Sequence, residues 1–217
     1  MLDVSRALKL LGGRAVLDRL DLCCVGGEIA VVSGANGCGK STLLRAISGV
    51  FEIDAGEISI GGHSLRHEPR LAKAELGYAP DGLDALPDLR AGEFVALIRG
   101  LKSLPGGSLP SLELEWRERL GFAELSGRRL SSLSFGQRKR TLLCAAQSGA
   151  PELLLLDEPS SGLDPEGVDH LVELIRSGQR AGRCHVITTN DDEFAVRVDG
   201  KRHWFQSGVL TTACRSA

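Results

Sequence analysis

Long apolar runs are missing from this sequence of 217 residues. Runs such as Ile29 to Val32 and Leu153 to Leu156 fall far short of the roughly 20 residues that a bilayer-spanning helix needs. Asp3, Arg6 and Lys9 interrupt any signal-peptide stretch at the N-terminus. Neither sign of charge dominates: 26 Lys and Arg face 28 Asp and Glu, a net charge of −2. That balance excludes a general nucleic-acid binder, and aromatics at only 4% leave no stacking platform for single strands. The six cysteines show no C-x-x-C spacing. Adjacent Cys23 and Cys24 would point to opposite faces of a strand, so neither a disulfide nor a metal suits them; reduced, cytosolic thiols are expected. His63, His67, His170 and His203 lack ligand spacing and are expected at the surface.

What is present is ordinary for a folded chain: 42% hydrophobic and 25% charged residues, enough to bury a core. Against a prior of about 150 residues per domain, the length suits one large domain or one carrying an insertion. Apolar alternation at Leu20, Leu22 and Cys24 predicts a strand closed by Gly26-Gly27. Glu28 to Ser33 predicts a strand buried on both faces, Ser41 to Ser48 a helix, and Glu57 to Ile60 another strand. From Arg90 to about Gly149 the pattern is helical, broken at Pro105-Gly106-Gly107 and near Gly127, with a mobile loop expected at Leu104 to Pro110. Leu153 to Leu156 predicts a buried strand, Val168 to Ile175 a helix after Pro165, His185 to Thr188 a further strand, and Trp204 to Thr211 a turn between two small strands. Strands alternating with helices predict an α/β core on a parallel sheet, interrupted by a helical insertion.

Gly34-Ala35-Asn36-Gly37-Cys38-Gly39-Lys40-Ser41 fits G-x-x-x-x-G-K-[ST], with a buried strand running in and a helix running out. The glycines let successive backbone N–H groups curl around phosphates, and the helix N-terminus adds partial positive charge. Lys40 would reach the β- and γ-phosphates, and the Ser41 hydroxyl would sit on Mg²⁺. A plain glycine turn with an exposed lysine would lack those flanks. Downstream, Asp157-Glu158 stands where the Leu153 to Leu156 strand emerges, and ligands of open α/β sheets collect at such carboxyl ends. Asp157 would hold Mg²⁺, and Glu158 is placed to polarise an attacking water.

Together with these, Leu133-Ser134-Phe135-Gly136-Gln137 resembles the signature of the ABC (ATP-binding cassette) ATPases, at that family's distance ahead of Asp157, and Ser161-Gly162-Leu163-Asp164 resembles its D-loop. The resemblance covers nearly the whole chain. It implies a RecA-like P-loop NTPase core (1–81 and 150–217), a helical subdomain at about 82–149, a small antiparallel β region, and a single cassette over 1–217. It also implies ATP and Mg²⁺ as cofactors, with Gly34 to Thr42 on the phosphates of one chain and Ser134, Gly136, Gln137 and Asp164 of a second chain closing a head-to-tail dimer. Phe135 replaces the family's usual first glycine.

Three positions depart from the pattern. Leu11 stands where an aromatic ring usually stacks on adenine, and offers apolar contact without a π-face. Asp81 replaces a glutamine in the loop after Tyr78-Ala79-Pro80; it can enter a magnesium shell but adds negative charge, and it resembles the subset pairing with ABC-2-type export permeases. Asn190 stands at the switch histidine, able to hydrogen-bond a γ-phosphate but not to carry charge or shuttle a proton. His185 lies too far along the strand to substitute. Slow or partner-dependent hydrolysis is therefore expected. The implied function is the ATP-hydrolysing subunit of an exporter, peripheral on the cytoplasmic membrane face, with the path in a separate integral-membrane permease. The alternative is a weakly or non-hydrolysing nucleotide-binding protein of the same family, acting as a degenerate partner or sensor.

Overall fold

A computed structural model describes residues 1–82, 86–102 and 108–212; residues 104–107 of the expected mobile loop lie outside them. Two long strands, β1 (Leu2–Leu11) and β2 (Arg14–Cys24), form a hairpin. With β4 (Ala55–Ile60) and β5 (His63–Ser64) they make a four-stranded antiparallel sheet in the order β2-β1-β4-β5. This is the small antiparallel region expected from sequence.

The second sheet contains β3 (Ile29–Ser33), β6 (Leu76–Ala79), β7 (Leu153–Asp157), β8 (Cys184–Thr188), β9 (Lys201–Gln206) and β10 (Val209–Thr212), ordered β10-β9-β3-β8-β7-β6. All neighbours are parallel except the edge strand β10. The uninterrupted apolar strands are explained by burial on both faces. Leu154, Leu156, Val31 and Ile187 join one hydrophobic cluster, and Leu153, Leu155, Val32 and Val186 join the other. The second cluster takes in the antiparallel sheet and the helix α1 (Lys40–Ile47).

The first cluster takes in the helices α3 (Ala91–Leu101), α4 (Ser111–Arg119), α5 (Phe122–Leu125) and α6 (Phe135–Ala146), all between β6 and β7, and α7 (Pro165–Arg180). A short helix α2 (Pro69–Ala74) precedes β6 and α8 (Asp192–Val198) follows β8. One buried carboxylate ties the helical part together: Glu113 of α4 accepts from Arg99 of α3, from Arg117 at 2.7 Å and from the Gly149 amide at 2.8 Å.

The cysteines described are free thiols, as expected; Cys23 is exposed and Cys24 buried, and the Cys184 thiol approaches Cys24 at 2.6 Å. One histidine departs from its expectation. His203 is buried, because β9 lies inside the sheet and its alternate residues His203 and Phe205 face inward. His185 lies within β8, also buried.

Candidate functional site

The carboxyl ends of β3, β8 and β7 lie side by side, with Val32 opposite Thr188 and Thr188 opposite Asp157. The loop after β3 therefore opens beside the acidic end of β7, as the rule for open sheets requires. Gly37 and Gly39 take left-handed backbone angles, φ 74° and 118°. At Gly39 a side chain is also barred by space, since a Cβ would stand 2.9 Å from Val16 Cγ1. Gly39 caps α1 without any side-chain acceptor, so the helix turns its first amide N–H groups into the loop uncapped.

Lys40 is buried, and its ammonium is the hub of the site. It donates to Gly34 O at 2.8 Å, Ala35 O at 3.2 Å and Asn190 Oδ1 at 2.7 Å, and lies 3.9 Å from Glu158 Oε1. Asn190 also donates from Nδ2 to Asn36 Oδ1, and its amide donates to Glu158 Oε2 at 3.1 Å. The switch-position asparagine thus bridges the glycine loop and the acidic strand end. Ser41 Oγ and Thr188 Oγ1 both donate to Asp157 Oδ1, at 3.2 and 2.6 Å.

Glu158 adopts φ 44°, a left-handed conformation that costs a non-glycine residue energy and marks a position held by its surroundings. Burial pushes its carboxyl above the ordinary range, opposed by the Asn190 N–H and by Lys40. A carboxylate raised toward neutrality and beside the loop suits a proton acceptor. The hydroxyl–carboxylate pair of Ser41 and Asp157 is a hard oxygen set that fits Mg²⁺. Among the described residues no cluster of three or more His, Cys, Asp or Glu could hold a metal, so an ion here would complete its shell from phosphate oxygens and water.

The signature residues lie at the N-terminus of α6, with Ser134 and Phe135 exposed. Ser134 and Gln137 cap that helix reciprocally: Gln137 N–H donates to Ser134 Oγ at 3.3 Å and Ser134 N–H to Gln137 Oε1 at 3.0 Å. This capping box holds the Ser134 hydroxyl at the tip of the helix. A Cβ on Gly136 would stand 2.2 Å from Gly162 O, and one on Gly162 2.2 Å from the Phe135 ring. The signature therefore packs directly on the loop carrying Asp164. Asp164 caps α7 through Gly167 N–H at 2.9 Å and pairs with Arg140 at 3.0 Å; the Gly167 amide, foremost, holds its carboxyl below the usual range. Leu11 is exposed at the end of β1. Asp81 is turned to Lys139, 3.0 Å away.

Sequence reasoning missed two participants, Thr188 and Lys139. Thr188 marks a strand end and the approach to the switch position in sequence, and Lys139 stands between two arginines, Arg138 and Arg140. Lys139 is 1% exposed. Burial pushes its ammonium below the usual lysine range, against the pull of Asp81.

The family model described as ABC transporter matches residues 17–161. The chain belongs to the ABC transporter family. It is an ATP-binding subunit of the ABC type, an ATPase on the P-loop fold. Among its relatives is lipoprotein-releasing system ATP-binding protein LolD 1 of Caulobacter vibrioides, 34% identical over 210 residues, spanning 92% of this chain and 88% of that protein. The linearmycin resistance ATP-binding protein LnrL of Bacillus subtilis is 29% identical; 88% of this chain matches it, spanning 61% of LnrL's length. The dimeric structure of the cassette MJ0796 superposes with a TM-score of 0.83 at 23% identity, covering 97% of this chain and 96% of that one. That likeness establishes the fold.

Proposed function

We propose that this cassette powers export through a separate integral-membrane permease, docked on the cytoplasmic face of the membrane and paired head to tail with a second cassette. The unit is a single domain, with a core at 1–81 and 150–217 and a helical subdomain at about 82–149. Three observations support the partners: the exposed signature at the tip of α6, relatives named as transporter ATP-binding proteins, and a dimeric structural neighbour. No helix described is long and apolar enough to cross a membrane.

The observation that carries the reading is the convergence of Lys40, Asn190, Glu158 and the Ser41–Asp157 pair at three adjacent strand ends. In our reading, the backbone from Gly34 to Gly39 wraps the phosphates, and Lys40, Ser41 and Thr42 continue the cradle into α1. Lys40 exchanges the carbonyl and amide oxygens it now holds for phosphate oxygens, which keeps its buried charge compensated. Ser41 and Asp157 would hold Mg²⁺, which when bound would neutralise phosphate charge. Glu158 accepts the proton of the attacking water. Asn190 donates to the γ-phosphate without a charge of its own. Leu11 lies apolar against the adenine, and Ser134, Gly136, Gln137 and Asp164 of the partner close the site.

The test is Glu158→Gln. Hydrolysis is expected to fall by about 10²–10⁴-fold, while ATP with magnesium shifts the variant to dimer mass in light scattering. A variant that hydrolyses like wild type, or that never dimerises with ATP, overturns the reading. Export is tested separately, by reconstituting the chain with the permease it co-purifies with and following the direction of transport.

A further inference from the structure

Lys139 is a buried ammonium beside the candidate site. A buried ammonium needs acceptors for its three protons, and Lys139 Nζ finds three: Asp81 O at 2.6 Å, Asp81 Oδ1 at 3.0 Å and Asp157 O at 3.2 Å. The Phe135 ring lies 5.9 Å from it. These contacts join three separate parts of the chain: the loop after β6, the helix that carries the signature, and the end of β7 that carries Asp157 and Glu158. Asp81 itself is half exposed, its side chain 54% accessible. Burial and multiple bonding thus fall on the lysine, not on the carboxylate it holds.

The electrostatics follow from proximity. Asp157 and Glu158 already place two carboxylates where a polyanionic nucleoside triphosphate is proposed to bind, and Asp81 adds a third. An ammonium bonded to Asp81 and to the backbone of Asp157 cancels that addition where it arises. We propose that Lys139 is a positioning residue of the ATPase site: it holds the Asp81 carboxylate off the magnesium–triphosphate and neutralises it, and so fixes the loop after β6 to the metal-bearing strand end through the signature helix. This rests on the proposed ATPase reading of the site.

The two partners make predictions of opposite sign. Lys139→Met keeps the buried stem but leaves Asp81 uncompensated, and is expected to weaken binding of a fluorescent ATP analogue with magnesium by about tenfold at low salt. Asp81→Asn alone leaves the Lys139 charge unbalanced and is expected to tighten that binding several-fold. The double variant is expected to return to within about twofold of wild type, since the net charge is restored. Equilibrium fluorescence titration of the analogue is the readout, with melting of the nucleotide-free protein recorded alongside.

Should Lys139→Met fail to fold, Lys139→Gln takes its place in the cycle, and Asp81→Asn still separates a repelling carboxylate, whose loss tightens binding, from a magnesium ligand, whose loss weakens it. Weakening by Asp81→Asn overturns the proposal, as does equal weakening in Lys139→Met and the double variant, the signature of a structural lysine only. If wild type itself binds no analogue, the ATPase reading falls instead, and that outcome is visible before any variant is made.

Discussion

Acid should loosen β8, the strand that ends in Thr188 and leads to Asn190. His185 in that strand is 2% exposed, its Nδ1 has no hydrogen-bond partner among the described residues, and its ring lies 2.9 Å from where a Cβ on Gly178 would stand. Burial, helped by the charge of Arg183, pushes the imidazole from its ordinary 6.5 down to about 4. The native chain therefore keeps this ring neutral while the unfolded chain takes up a proton below pH 6.5. Stability from this residue is complete above that pH, declines as pH falls toward 4, and levels off below. The gap of about 2.5 pH units, at about 1.36 kcal/mol each, amounts to about 3 kcal/mol. By pH 5 about 2 kcal/mol of it is gone, which lowers the melting temperature of a chain this size by about 4–8 °C relative to pH 7.5. Thermal melts of wild type and His185→Gln across pH 7.5 to 5 measure it, and the variant should show a correspondingly flatter profile. His203 is also held low by burial and acts in the same direction, so each histidine is replaced singly. Parallel profiles for wild type and His185→Gln, or an imidazole titrating near 6.5 by NMR, would refute the reasoning.

The switch position and the helical subdomain give two further outcomes. Asn190→His supplies a charge and a proton carrier where the side-chain amide now bridges Lys40 and Asn36; ATPase assays should show a rate about tenfold higher with a new limb near pH 6.5, and an unchanged rate means the missing histidine does not limit turnover. Glu113→Ala removes the buried acceptor shared by Arg99, Arg117 and the Gly149 amide and should cost about 3 kcal/mol in denaturant unfolding; a loss below about 0.5 kcal/mol would show that the network contributes little.

Much of the site is local in sequence, and that part was legible. The glycine loop, Lys40 and Ser41 are consecutive, and their chemistry is set by backbone amides and one helix start. Asp157-Glu158 follows a strand whose apolar run is unmistakable, because both its faces are buried. Other elements hid for physical reasons. The alternation of β1 breaks where a register shift between Val4 and Ala7 puts Arg6 at φ 47°, so Leu2, Val4 and Ala7 do not read as one strand. The four residues of β6 include Gly77, which dilutes a strand pattern. His203 read as surface because a central strand and a solvent-washed one look alike over a few residues.

The phosphate loop, the acidic strand end, the signature and the three departures at Leu11, Asp81 and Asn190 are written in local order along the chain, since each depends on neighbours a few positions away. What those departures touch depends on the fold. Lys139 stands 58 residues from Asp81, and Asn190 is 150 from Lys40. Contacts at such separations are set by the packing of helix on sheet and by the order of the strands, which no local pattern encodes.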